Sequence, residues 1–270
     1  MRSANFGYAQ SYPQILCITL CITLWKSEKI FACSVVIARD CEEKRWRNVD
    51  MNQEERFIEA IKTNDHAVVK DSLQIEPGLM EVKLNGISPL MLSVYYGARD
   101  VTAVFLSRGV ELNLFEASAL GQHDSVLREL DCDSAALNAY SADGFTALGL
   151  SAFFGHEDIA RELLKRGAAV DVPSKNAMRV APLHSAVAHQ HTRIAELLLA
   201  HGANVNLTQQ DGYTPLLEAV ENGQHEMVQL LVAHGADIHQ ASERGVTPLQ
   251  MAETMKRDDL LQIMRETHAQ

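Results

Sequence analysis

A phased pattern decides the fold, and it is clearest in residues 211–239, DGYTPLLEAVENGQHEMVQLLVAHGADIH. Thr214-Pro215-Leu216 in this stretch is repeated 33 residues later as Thr247-Pro248-Leu249. Pro182-Leu183-His184 occupies the corresponding place 33 residues earlier. Related triplets lie further upstream, and glycine followed by alanine keeps the same spacing. These elements are Thr146-Ala147-Leu148, Ser88-Pro89-Leu90, Gly167, Gly202 and Gly235.

Each position of the pattern has a physical reason. Thr or Ser before Pro caps a helix, because its hydroxyl accepts an N–H of the first turn. Pro then lacks only a donor that has no helical partner there. Leu216 and Ala219 illustrate the narrow apolar stripe that follows, and glycine ends this first helix. A second helix is predicted from Glu157 to Arg166, with one apolar face of Ile159, Ala160, Leu163 and Leu164.

This pattern resembles the ankyrin repeat, a unit of about 33 residues with a turn, two antiparallel helices and a T-P-L-H-x-A signature. Pro182-Leu183-His184-Ser185-Ala186 matches the signature best, and residues 201–206 and 234–239 resemble the family's repeat ending. The resemblance covers about residues 51–270. It implies an all-α solenoid of about seven helix-turn-helix units with short β-hairpin links, and Asp211-Gly212 is predicted to form a tight turn in one link.

Two of the seven predicted repeats depart from the pattern. Gly109 lies only four residues before Asn113, so the third repeat lacks almost all of its connecting hairpin. We therefore expect the join between the second and third repeats to be the weakest. The link from Val172 to Ala181 is about two residues too long. The predicted repeats span residues 52–85, 86–112, 113–142, 143–179, 180–211, 212–244 and 245–270.

Residues 1–50 form a leader that differs from the rest in charge and composition. They carry a net charge of +2, whereas residues 51–270 hold 17 basic and 30 acidic residues, a net charge of −13. The apolar run of residues 15–25 is too short to span a bilayer as a helix. Three interpretations stay open: a non-native or disordered leader with Met51 as the start, a signal or anchor, and an ordered extension. Asn52 and Glu55 have capping-box spacing, so a helix is expected just after Met51.

Composition also bears on compartment and partners. Four of the five cysteines lie in the leader, and the single thiol of Cys132, expected to be buried or uncharged, suits a reducing compartment. The expected location is cytoplasmic, with export as the alternative if residues 1–38 act as a signal. Nucleic acid is not expected as a partner, because phosphates are bound by Lys and Arg. A membrane is expected only if residues 15–25 act as an anchor.

The sequence offers no catalytic, cofactor-binding or metal-binding constellation. It has no phosphate-binding glycine loop and no H-E-x-x-H or G-x-S-x-G motif. His184, His189 and His191 do not converge on one helical face, and His184 takes the repeat's own His position, where the family makes structural hydrogen bonds. We therefore expect a protein that is not an enzyme and holds no cofactor or metal.

The resemblance implies a concave binding face. It is built from the tips of the links and from the residues just before the glycine that ends the first helix of each repeat. The middle of this row is aromatic, as interface hot spots often are, and its carboxyl half is acidic. The alternatives are rings packed between repeats and an ordinary solvated face. The predicted partner-binding residues are Tyr95, Tyr96, Phe153, Phe154, His189, Glu218, Glu221, Asn222, Glu253 and, on the long link, Arg179.

The function expected from these features is that of an interaction module, adaptor or scaffold that binds another protein through a concave groove. The partner is expected to present an apolar element to the aromatic residues and a basic element to the acidic ones. The alternative function is a regulatory subunit or inhibitor of a partner enzyme.

Overall fold

The structure, a computed structural model, describes residues 52–267, so the predictions for residues 1–50 lie outside the described residues. Fourteen α-helices and no β-sheet occupy residues 52–267, which confirms the predicted all-α class. None of these helices combines the length and apolar character needed to cross a bilayer. Short 3₁₀ segments lie at Pro77–Glu81, Ser134–Asn138 and Gln210–Gly212.

The helices follow one another in seven pairs. These are α1 (Gln53–Lys62) and α2 (His66–Ile75), α3 (Pro89–Tyr95) and α4 (Arg99–Ser107), α5 (Leu114–Leu120) and α6 (His123–Cys132), α7 (Ala147–Phe154) and α8 (Glu157–Lys165), α9 (Pro182–Ala188) and α10 (Thr192–Ala200), α11 (Pro215–Glu221) and α12 (His225–Ala233), and α13 (Pro248–Thr254) and α14 (Asp258–Thr267). The first helix of each pair is called a first helix below, and its partner a second helix.

Side-chain caps start most of the first helices as the sequence predicts. Thr146, Thr214 and Thr247 each accept an N–H from the third residue of the following helix, at 3.1–3.2 Å. Asn52 forms the predicted capping box with Glu55 at the start of α1. The first helix α9 is the exception, because Ala181 stands at its cap position and offers no side-chain hydrogen bond.

The links between pairs are irregular, so the predicted β-hairpins are not confirmed. Within residues 111–267 the links carry one isolated antiparallel bridge, between Tyr140 and Thr146. The predicted tight turn is present, with φ of 60° at Asp211 and 69° at Gly212. Successive link tips are instead joined by single backbone hydrogen bonds of 2.8–3.0 Å, from Lys175 to Gly144, Gln210 to Met178 and Glu243 to Asp211.

The chain divides into two compact units near residue 110. Within the described residues, the first unit comprises residues 52–84 and 88–110, with helices α1–α4. Its core includes Phe57 and Phe105, whose ring centroids lie 6.2 Å apart in an edge-to-face contact. The second unit comprises residues 85–87 and 111–267, with helices α5–α14. The division falls where the sequence lacks a connecting hairpin.

One continuous apolar core runs through the second unit. It includes the first-helix residues Leu148, Leu183 and Leu216 together with the second-helix residues Leu163 and Leu198. The apolar face predicted for α8 is confirmed, since Ile159, Ala160, Leu163 and Leu164 are all buried. Each first helix packs on the first helix of the next pair, which aligns their carboxyl-terminal ends in a row from α5 to α13.

Truncation of Leu163 tests this core. The side chain is fully buried, so Leu163→Ala should lower the free energy of unfolding by about 2–5 kcal/mol through lost burial and the cavity left behind. Leu106→Ala, on a side chain that is 36% exposed, should cost much less. Urea unfolding followed by circular dichroism measures both, and equal costs for the two variants would contradict the placement of Leu163.

The link at residues 109–113 generates a second expectation. Hydrogen exchange should open first around Gly109 to Ala119, because no hairpin closes the chain there. The link between Gly202 and Leu216 should be better protected, since Gln209 donates to the Tyr213 carbonyl across it at 2.9 Å. Amide exchange read by mass spectrometry compares the two segments, and equal protection would show that the missing hairpin does not weaken the join.

Candidate functional site

The candidate site lies at the carboxyl-terminal ends of the first helices in the second unit. Phe153 and Phe154 are the last two residues of α7, and His189 is the carboxyl-terminal cap residue of α9. Glu221 and Asn222 take the corresponding place on α11. The order of these helices therefore brings the predicted aromatic and acidic residues of this unit into neighbouring positions of one row.

Side chains from the following pair hold the helix ends of this row. His191 Nε2 donates to the Phe153 carbonyl at 3.2 Å, and His156 Nε2 donates to the Ala119 carbonyl at 2.9 Å. Gly155 adopts a φ of 83°, and a Cβ there would come within 2.6 Å of the His191 ring. Glycine is therefore required both for the left-handed backbone and for the close approach of the imidazole.

Four rings form an aromatic cluster, defined as Phe153, Phe154, His189 and His191. The two phenylalanine rings meet edge to face with centroids 4.9 Å apart. His189 lies 4.1 Å from the Phe153 centroid, and its ring is stacked 6.0 Å from that of His191. All four side chains are half-buried, so the cluster packs against itself and also reaches the surface.

Tyr95 and Tyr96 belong to the first unit, at the end of α3. Tyr95 is half-buried, and Tyr96 is 40% exposed. Ser88 caps the start of the same helix by accepting the Met91 N–H at 3.1 Å. The structure thus gives this unit an accessible aromatic side chain of its own.

Glu218 does not fit the alternative of a solvated acidic face. The residue is half-buried, its Oε2 is hidden from solvent, and that atom has no hydrogen-bond partner among the described residues. Burial, aided by the nearby negative charge of Glu221, raises the pKa of Glu218 to about 8. The reason is positional: Leu150 and Met251 occupy the same repeat position on α7 and α13, so the side chain points where an apolar residue normally packs.

The other acidic candidates are exposed but paired. Glu221 accepts a hydrogen bond of 2.9 Å from the Tyr213 hydroxyl. Burial and that bond raise the pKa of Tyr213 to about 12, so it stays a donor at neutral pH. Glu253 lies 3.3 Å from the Arg265 guanidinium, which screens its charge. Asn222 is exposed next to Glu221.

Arg179 lies on the long link, away from the helix ends. It is exposed and has a φ of 51°. Val180 closes the loop behind it by donating to Ser174 Oγ at 2.9 Å, and the Ser174 N–H donates to the Val180 carbonyl. On the same link Lys175 Nζ lies 4.1 Å from the Tyr140 ring centroid.

The histidines and the cysteine give two further outcomes. His184 is buried and its Nε2 donates to the Tyr213 carbonyl at 3.3 Å, as the structural role of this repeat position implies. Burial lowers the pKa of His184 to about 4, so it is neutral near pH 7. Cys132 is exposed at the end of α6, so the expectation of a buried thiol is wrong. Residues 52–267 contain no group of three or more His, Cys, Asp or Glu placed to hold a metal ion.

Sequence reasoning missed two residues of this region, Ser185 and Tyr213. Ser185 Oγ is buried and, among the described residues, has no hydrogen-bond partner. It occupies on α9 the repeat position that Glu218 occupies on α11. The available signal was the succession of polar residues at a position that is apolar on α7 and α13.

Comparison with known families agrees with this architecture. The sequence model of ankyrin repeats (3 copies) matches residues 114–209 and 201–270, together more than half of the chain. The chain therefore belongs to the ankyrin-repeat family. Ankyrin repeats are general protein–protein interaction modules, and the family is typically non-catalytic. No curated protein matches the chain significantly.

The raised pKa of Glu218 generates a stability prediction. The folded protein retains a proton that the unfolded chain releases near pH 4.5, so stability is lost as the pH rises from there through about 8. Glu218→Gln removes this loss. We expect it to be more stabilising at about pH 8.5 than at about pH 5, by about 1 kcal/mol or more.

Urea unfolding at the two pH values measures this difference. Glu253→Gln is the matched control, because its carboxylate is exposed and paired with Arg265. The prediction fails if Glu218→Gln has the same effect at both pH values.

Proposed function

We propose that the chain is an interaction module or adaptor that binds a partner protein on the row formed by the first helices of the second unit. The observation that carries this proposal is the aromatic cluster. Its four rings are partly exposed, and the His191 and His189 rings are anchored by hydrogen bonds to the backbone carbonyls of Phe153 and Ser185. Large contact area on fixed side chains is the usual composition of an interface hot spot.

Rigidity gives the cluster a binding advantage. Phe153 contacts the rings of both Phe154 and His189, so partner contact would freeze little additional side-chain motion. Association normally loses free energy when mobile side chains become ordered, and aromatic rings with two torsions lose less. The element that fits this cluster is an apolar side chain of the partner.

The neighbouring acidic residues fit a basic element of the same partner. Glu221 is the exposed carboxylate closest in the row to the aromatic cluster, one first helix beyond His189. Its charge would attract the basic element and favour one orientation of the partner, with a larger effect on the association rate than on affinity. Glu253 contributes less, since Arg265 already pairs with it.

Three further residues are proposed as partner contacts. Tyr96 offers an exposed ring on the first unit, with Tyr95 beside it, and the two form a contact surface of that unit by itself. Arg179 offers an exposed cation on the long link of the second unit. In this family, links and first helices together supply the recognition surface, so Arg179 is assigned to the interface of the second unit.

Replacing Phe153 and Phe154 together by Ala tests the proposal. A pull-down with the full chain first identifies the partner, and surface plasmon resonance then measures binding at low and high ionic strength. The double variant should lose about 2 kcal/mol or more of binding free energy if either ring is a hot spot. Glu221→Gln should mainly slow association and flatten its salt dependence.

Exposed second-helix residues provide the matched control. Glu196→Ala on α10 and Glu226→Ala on α12 alter the opposite helices and should leave affinity unchanged. Loss of binding in these variants, with full binding by the Phe153 and Phe154 variant, would place the interface elsewhere.

A further inference from the structure

Two imidazole rings lie side by side within the aromatic cluster. His189 and His191 are stacked, with centroids 6.0 Å apart and planes 17° from parallel, and His189 lies 4.1 Å from the Phe153 ring centroid. Histidine is the side chain whose ordinary pKa, about 6.5, puts its change of charge close to neutral pH. Two of the four rings of the proposed interface can therefore gain positive charge within a narrow range of pH.

Each of these imidazoles uses one ring nitrogen to fix its position. His189 Nδ1 donates to the Ser185 carbonyl and His191 Nε2 donates to the Phe153 carbonyl, both at 3.2 Å. A carbonyl oxygen only accepts, so these nitrogens carry their hydrogens in the neutral ring as well as in the cation. The proton that changes the charge binds at the second nitrogen, His189 Nε2 or His191 Nδ1. Protonation thus keeps both anchoring bonds and changes the charge of the surface rather than the fold.

Exposure separates this pair from the histidine inside α9. His184 is 1% exposed and burial lowers its pKa to about 4, so it stays neutral as the pH changes from about 8 to 5. His189 and His191 are only half-buried, so their cations keep contact with water. Two imidazolium ions at this separation repel each other, so the pair takes up its two protons in coupled steps.

Charged groups on the neighbouring helices also act on the pair. α9 packs on α7, α10 and α11, and α10 packs on α8 and α12. α7 holds no charged or titratable side chain, and Glu218 on α11 keeps its proton near neutral pH. The other groups at these helix ends are mostly acidic: Glu157 and Asp158 on α8, Arg193 on α10, Glu221 on α11, and His225 and Glu226 on α12. Nearby carboxylates stabilise a cation, so they favour protonation of the pair as the pH falls.

We propose that His189 and His191 make the aromatic cluster a pH-dependent docking surface, which holds the partner protein while both imidazoles are neutral and releases it when they are protonated. The inference rests on the proposed function, since it specifies how that interface is regulated. An apolar side chain of the partner that covers an imidazolium removes the charge from water, which costs free energy. The basic element expected beside Glu221 is in addition repelled by the new positive charge. Both effects weaken binding at low pH.

The direction of the pH dependence follows from the preference for neutral rings. Because the bound state excludes the proton, affinity is highest above the ordinary imidazole pKa of about 6.5 and falls as the pH drops through that value. For one proton excluded on binding, affinity should fall about tenfold between about pH 7.5 and 5.5. Exclusion of a second proton enlarges this loss.

Other repeats supply matched replacements for the two histidines. Asn222 is the carboxyl-terminal cap residue of α11 as His189 is of α9, and Gln224 directly precedes α12 as His191 precedes α10. His189→Asn and His191→Gln therefore introduce polar side chains that the same repeat positions already hold elsewhere. Neither replacement can be protonated near neutral pH, so together they remove the proposed switch without removing the aromatic rings of α7.

Histidine titration by NMR tests the pair without the partner. The imidazole signals of the full chain, labelled with ¹⁵N, are followed from about pH 8 to 5. His189 and His191 should titrate in coupled steps, and replacing either one should reduce the titration of the other to a single step. His156, whose Nε2 donates to the Ala119 carbonyl, is the control and should not respond to these replacements. Failure of both rings to titrate in this range would overturn the proposal.

An uncharged probe then tests docking on the cluster. N-acetylphenylalaninamide carries an apolar side chain and no charge, and its binding to the full chain is followed by amide shifts. Shifts centred on the four rings should saturate with a dissociation constant of about 1–10 mM at about pH 7.5. Affinity should fall about threefold or more at about pH 5.5, and circular dichroism should show the same fold at both pH values. The variant with both histidines replaced should bind equally at the two pH values, whereas Glu218→Gln should keep the pH dependence.

The failures of this inference and of the proposed function are distinguishable. Equal probe affinity at the two pH values, or a pH dependence that persists when both histidines are replaced, would overturn the switch and leave the aromatic interface intact. Absence of saturable shifts at about pH 7.5 would also overturn it, because the cluster would then lack the affinity on which the switch acts. A partner that binds equally well after Phe153 and Phe154 are replaced would overturn the proposed interface without changing the probe titration.

Discussion

Close approach of neighbouring first helices is the constraint on which the rest of this structure depends. In the second unit a small residue at one repeat position is fully buried on every first helix: Ser118, Ser151, Ala186, Ala219 and Ala252. Where that residue is serine, its hydroxyl bonds a carbonyl of its own helix, at 2.7–2.9 Å, and so needs no space for an external partner. A larger side chain at any of these places would have to separate adjacent helices, and dense cores resist such expansion.

This packing determines which residues can serve binding. Because one stripe of each first helix is committed to its neighbours, variation is tolerated mainly at the carboxyl-terminal end of the helix and at the link tips. The aromatic cluster occupies such an end, and Arg179 occupies such a tip. Repeat proteins transmit stability mainly between adjacent units, so a costly residue in one unit is supported by the cores on both sides. Glu218 is such a residue, with the fully buried Leu216 on its own helix and Leu183 on the preceding first helix.

The sequence predicts those features of the fold that depend on residues close to one another in the chain. The caps at Thr146, Thr214 and Thr247, the buried face of α8 and the turn at Asp211-Gly212 depend on a few neighbouring residues, and all were predictable. The exposure of Glu218 and Cys132 depends on which side of a helix meets the adjacent pair. Glu218 is half-buried rather than solvated, and Cys132 is exposed rather than buried. Tyr213 was missed because its role requires the hydroxyl to reach Glu221 across eight residues of chain. The repeat boundaries and the partner-binding residues stay predictions.

The charge of the chain and the burial of Glu218 act at different distances. Residues 51–270 carry a net charge of −13 and attract cations in general. At physiological salt this attraction is screened beyond a Debye length of about 8–10 Å. Such a field does not discriminate arginine from lysine or one basic segment from another. A carboxyl group that is buried among apolar helices discriminates, because it ionises at little cost only when a donor of matching geometry replaces water. The long-range field thus acts on every cation that approaches, whereas the Glu218 carboxyl keeps its proton near neutral pH because burial raises its pKa.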